Sequence, residues 1–178
     1  MQTKVLKNLL ITHIHRISNF LQALPEAYLH QSPDNRWTIG EELSHLTKSN
    51  LGTARLLSQS PAQLRKAEKP SRSYEEVVQE YEEKYAQAKA PRGPQSTQPN
   101  RDTLVDKSTL EAEWNRASQA LLDSLKNWQS ESWGQYTVWK HPLLGVLTVQ
   151  EMLYFTAYHN EHHAFVVEEK YKKLTSLV

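Results

Sequence analysis

Apolar residues recur along most of this chain at the spacing of a helix face rather than a strand. Leu6, Leu10, Ile14, Ile17, Leu21 and Leu24 form one such stripe and predict a first helix. A second opens at Thr38-Ile39-Gly40-Glu41, where Thr38 and Glu41 have capping-box spacing, and runs to about Ser58 before Pro61 blocks it. Ser73 and Glu76 repeat that spacing ahead of a Glu-rich third helix, Tyr74 to about Lys89. A fourth runs from about Lys107 to Trp128, and a fifth opens at Thr148, with Glu151 three positions on, and continues to about Lys172. The polar stretch from Pro91 to Asn100 connects the third and fourth, and its length suits a crossover between helices that are not hairpin neighbours. Ser132 to Leu147, rich in Trp and Gly signals, reads as a loop. An antiparallel helical bundle is the simplest way to bury these stripes.

Composition narrows the picture. At 178 residues, 38% hydrophobic and 23% charged, the chain fits one globular domain over residues 1–178. A net charge of +1, with Lys and Arg scattered among Asp and Glu, gives no electrostatic case for nucleic acid or an anionic membrane. No stretch approaches the roughly 20 apolar residues that span a bilayer, and the first residues lack a secretory pattern, so a cytoplasmic protein is expected. Cysteine is absent, which excludes disulfides, thiolate metal sites and a cysteine nucleophile together. Any metal must be held by His and carboxylate, and any thiol must arrive with a substrate.

The candidate chemistry lies in His159-Asn160-Glu161-His162-His163. Residues four apart share a helix face, so His159 and His163 can grip one divalent ion. At about 100° per residue, Met152, Phe155 and Val166 fall within about 40° of His159, which turns the pair toward the bundle interior. His162 flanks that face by about 60°, and Glu161 points about 200° away. A metalloprotease helix needs Glu directly after the first His, so that class is excluded. Tyr154, Tyr158 and Phe165 group on the back, where they either pack on a neighbouring element or meet a second copy.

His45 is the natural third ligand, yet its angular neighbours are polar: Thr38, Glu41, Glu42 and Ser49, with Gly52. By rotation alone it is a surface histidine, unless that polar face lines a wet cavity in which Ser49 and Gly52 leave room. His13 falls on the edge of the first stripe and reads as a hydrogen-bonded core histidine, whereas His15 points away. His30 and His141 lie near loops and show no pattern. Trp133, Tyr136 and Trp139 either wall a pocket or cap the end of the bundle, the second being the commoner use of such residues.

Trp37-Thr38-Ile39-Gly40-Glu41-Glu42-Leu43-Ser44-His45-Leu46 resembles the second-helix motif of the DinB-like superfamily of metal-binding four-helix-bundle proteins. His141-Pro142-Leu143-Leu144-Gly145-Val146-Leu147-Thr148, followed by His159 and His163, resembles that superfamily's C-terminal motif, in the same order along the chain. The resemblance implies an all-α, up-down-down-up bundle with a long crossover, and a divalent metal held by His45, His159 and His163. His162, adjacent to the matched position, is a substitute by register. Superfamily members include S-transferases that use a low-molecular-weight thiol such as bacillithiol or mycothiol, and others of no known activity.

Three neutral imidazoles leave coordination positions open, as catalytic metals require. Such a metal would activate a thiol, or water, for attack on a small-molecule electrophile. Hydrolysis is the second enzymatic reading, with Glu41 and Glu42 the nearest candidate bases, although both also suit a helix N-terminus. A non-enzymatic reading has the metal tie helices together in a binding or homodimeric module. Zn, Ni, Cu and Fe all suit histidine ligation.

Overall fold

A computed structural model of the chain describes residues 3–34, 36–88, 95–99 and 105–176. Four long helices form a bundle: α1 (Thr3–Ala23), α3 (Ile39–Leu57), α5 (Lys107–Ser124) and α6 (Val149–Thr175). A short α2 (Glu26–Leu29) follows α1, because Pro25 stops the first helix. Each bundle helix packs on two others, α1 on α5 and α6, and α3 on α5 and α6. Arg16 pairs with Glu168 and Phe20 packs on Tyr171, so α1 and α6 run the same way. Glu42 meets His163 and Thr53 meets Thr156, so α3 opposes α6. Trp114 bonds Ser18 while Lys107 bonds the carbonyl of Gln22, so α5 opposes α1. The order is therefore up-down-down-up, with α3 and α5 parallel, as the resemblance implied.

The helices begin where the sequence places them. Thr38, Ser73 and Thr148 each close a capping box, with Glu41, Glu76 and Glu151 reaching back to the cap N–H. Each cap contributes about 1 kcal/mol. The stripe from Leu6 to Leu24 is buried against Trp114, Leu121, Leu153 and Val167 in one continuous core. None of the described helices is long and apolar enough to cross a membrane.

Two departures from the helical reading matter for function. The predicted loop contains an antiparallel hairpin, β2 (Tyr136–His141) with β3 (Gly145–Thr148), and β1 (Arg65–Lys66) pairs the other edge of β2. Tyr136-Thr137-Val138-Trp139 is strongly strand-prone, and Gly145 takes the left-handed turn position at φ 73°. The Glu-rich helix, α4 (Tyr74–Gln87), stands outside the bundle and packs on α6. Its predicted end at Lys89, and Pro91–Pro94 and Asn100 of the crossover, lie outside the described residues. Arg72 ties these excursions together, donating to Glu151 at the start of α6, to Glu80 on α4 and to the carbonyl of Leu144 in the hairpin turn.

A Cβ on Gly145 would meet no neighbour within 4 Å, so Gly145→Ala tests backbone strain alone. It is expected to lower stability in urea denaturation by about 1–2 kcal/mol through that φ angle.

Candidate metal centre

His45 on α3 and His159 and His163 on α6 converge across the antiparallel seam, and all three are buried. Nε2 of His159 lies 3.3 Å from Nε2 of His45 and 3.1 Å from Nε2 of His163. The outer nitrogens decide the tautomers. Nδ1 of His45 donates to the carbonyl of Thr97 at 2.9 Å, and Nδ1 of His163 donates to Oε2 of Glu42 at 3.0 Å. Both neutral rings therefore turn a bare Nε2 lone pair toward His159. Burial, first, and the neighbouring imidazoles, second, hold His159 and His163 well below the ordinary histidine value, and burial lowers His45 as well.

This donor set fits a divalent ion. One proton on His159 Nε2 would satisfy one of the two facing lone pairs, whereas a cation among the three nitrogens satisfies all of them. Imidazole nitrogens about 2.0–2.1 Å from a tetrahedral zinc stand about 3.3–3.4 Å apart. Both contacts of His159 are close to that spacing.

His45 is the residue on which rotation about its own helix misled. It is buried because neighbours outside α3 cover it: the ring of Trp37 at 4.9 Å, and the single turn Gln95–Thr97 of the crossover. The cavity alternative holds, since Ser49 and Gly52 line a cavity of about 460 Å³ together with the three histidines. Glu42 is likewise more than an N-terminal charge. It is buried and holds His163 through one oxygen, while Lys170 Nζ stands 3.7 Å from the other. Burial outweighs the attraction of Lys170 and His45 and raises its pKa. Glu41 instead receives the Thr38 N–H at 2.8 Å.

Other expectations divide. His162 sits at the cavity edge, its ring 5.2 Å from that of His163, and does not replace it. His13 is buried, but it is not the hydrogen-bonded core histidine expected: neither ring nitrogen has a hydrogen-bond partner among the described residues, and Glu161 of α6 reaches only to 3.9 Å. Tyr154 and Tyr158 are covered by α4, through Tyr74 and Glu82, while Phe165 remains 58% exposed. Trp133 is buried in the core and Tyr136 packs on Trp128, but Trp139 enters the cavity wall.

Sequence reasoning missed the rest of that wall. Tyr81 and Tyr85 come from α4, where Tyr74, Val77, Tyr81 and Tyr85 share a helical face that could have been read. His141 ends β2, and burial lowers its pKa to about 4. It carried no periodic signal because its setting is a hairpin. Asn50 also lines the cavity, wholly buried, with neither amide atom partnered among the described residues.

The profile of the DinB superfamily matches residues 9–166, most of the chain. The chain belongs to the DinB superfamily. No curated protein matches it.

Glu42→Gln keeps the volume but weakens the grip on His163, and is expected to lower zinc affinity by about 10–100-fold in competition with a chromophoric chelator. A second outcome concerns pH. His45, His141, His159 and His163 all bind protons more weakly folded than unfolded, where imidazole titrates near 6.5. Below that pH the unfolded chain holds the extra protons. Stability of the metal-free protein should thus be full above about 6.5 and fall with pH, by at most about 1.4 kcal/mol per pH unit per histidine. Thermal melts of chelator-treated protein from pH 7.5 to 5 check this.

Proposed function

We propose that this DinB superfamily protein is a metal-dependent transferase that joins a low-molecular-weight thiol to a small electrophile. His45, His159 and His163 would hold the metal. The observation that carries the reading is that the three clustered histidines line a cavity of about 460 Å³ whose surface is mostly apolar. A purely structural metal is normally closed by protein ligands on all sides, whereas a catalytic one keeps an open face. A divalent ion held by these residues would lower the pKa of a thiol or a water near it.

The protein's own residues favour a thiol over water. Hydrolysis requires a general base within reach. Glu41 is engaged at the cap of α3, and Glu42 is engaged by His163, so neither candidate base is free for that role. A thiol needs less assistance, because its ordinary pKa is already near 8.5. Its proton leaves to solvent, its sulfur bonds the electrophilic carbon, and the bond to the leaving group breaks. With no cysteine in the chain, the thiol is a cosubstrate. Glu42 and the Thr97 carbonyl fix two rings in the tautomer that offers Nε2, and Trp37 packs on the ring of His45. Location in the cytoplasm and a homodimer belong to the same proposal. The dimer now rests on Phe165, the exposed member of the α6 aromatic group.

The test is displacement of chloride from 1-chloro-2,4-dinitrobenzene by 2-mercaptoethanol. The expected result is a protein-dependent rate that disappears on chelation, returns with added zinc, nickel or iron, and is absent in folded His159→Ala. A rate unaffected by chelation would contradict the proposal.

A further inference from the structure

One polar group in the cavity wall has no task in holding the metal. Nδ1 of His141 accepts the backbone N–H of Leu143 at 3.1 Å and of Leu144 at 3.2 Å, both from the turn that follows it. An imidazole that accepts twice at Nδ1 carries its proton on Nε2. Burial keeps the ring neutral well below physiological pH. That Nε2–H meets no acceptor among the described residues, yet it is not sealed off by them. The ring is held by Phe155 at 4.5 Å, Trp139 at 5.2 Å and Tyr81 at 5.9 Å, three residues that line the same cavity. Phe155 in turn stacks on His159 at 5.2 Å, so His141 stands one aromatic ring away from the metal-site nitrogens.

A rigid donor set in an aromatic wall matches ligand sites that are mostly apolar with a few placed polar groups. We propose that His141 selects the cavity's ligand by donating Nε2–H to it, and that this ligand is a largely apolar molecule bearing a carbonyl-type acceptor. This assignment rests on the reading of the cavity as a substrate site and adds the class of the electrophile. His141 contacts the ligand and not the metal. Its donor direction is set by the hairpin turn, so the hairpin is a specificity element of the site as well as a cover.

Acetophenone and α-methylstyrene have nearly the same shape and differ in a carbonyl oxygen against a methylene, which isolates the hydrogen bond. Binding of each is measured by ligand titration to wild type and to His141→Phe, with protein stripped of metal and with protein loaded with zinc. Wild type should prefer acetophenone by about tenfold, the effect of one satisfied donor. His141→Phe should bind the two alike, and His141→Gln, which retains an N–H, should recover part of the preference. In wild type, 15N resonances should show His141 protonated at Nε2, with that nitrogen shifting on acetophenone and not on α-methylstyrene. This last reading decides the matter even where a variant fails to fold. Equal affinities in wild type, a preference that survives in folded His141→Phe, an Nδ1-protonated ring, or no binding of either compound would overturn the proposal. The stripped protein separates the two ideas: a chain that holds no metal removes the transferase reading but leaves the acceptor preference to be seen.

Discussion

Three imidazole nitrogens facing one another at 3.1 and 3.3 Å inside an apolar bundle are a strained arrangement unless something positive lies among them. Two of the rings cannot relieve it by changing tautomer, because Thr97 and Glu42 occupy their other nitrogens. Nor can protons relieve it readily, since burial opposes charge on all three. The antiparallel contact of α3 with α6 sets the distance. Lys170, reaching the carbonyl of Trp37 and the carboxylate of Glu42, anchors the start of α3 to α6 beside it.

The way the chain travels completes the site. Because α3 and α5 are parallel, the connection must return along the bundle before α5 can begin. That return carries α4, whose Tyr81 and Tyr85 form one wall, and the turn Gln95–Thr97, which covers His45. The hairpin before α6 brings the adjoining wall, with Trp139 and His141 on one face of β2 by strand alternation, and His141 meets Tyr81 there. The segments that the topology requires are thus also walls of the cavity. The aromatic lining also follows: rings from α4, β2 and α6 pack edge to face around His141 and Phe155.

Much of this was legible in the sequence, for identifiable reasons. The caps at Thr38, Ser73 and Thr148 are local, so the starts of three helices could be placed to the residue. His159 and His163 share a face with Phe155, which located their inward direction from helical geometry alone. His45 was different. What buries it belongs to Trp37 and to a crossover more than fifty residues later, which no rotation about α3 can reveal; only the motif resemblance pointed to it. Glu42 escaped for the same reason, its partners lying on α6. The hairpin carries no helical period, and the short run Tyr136-Thr137-Val138-Trp139 becomes a strand only because β3 is there to pair with.

The central claim is that the buried histidines hold one metal ion. Elemental mass spectrometry on untagged wild-type protein, beside His45→Ala and His163→Ala variants shown to be folded by circular dichroism, tests it most directly. The account predicts close to one zinc, nickel, copper or iron ion per wild-type chain and its loss from both variants. A wild-type chain that holds no metal even after reconstitution, or variants that retain it in full, would contradict the account.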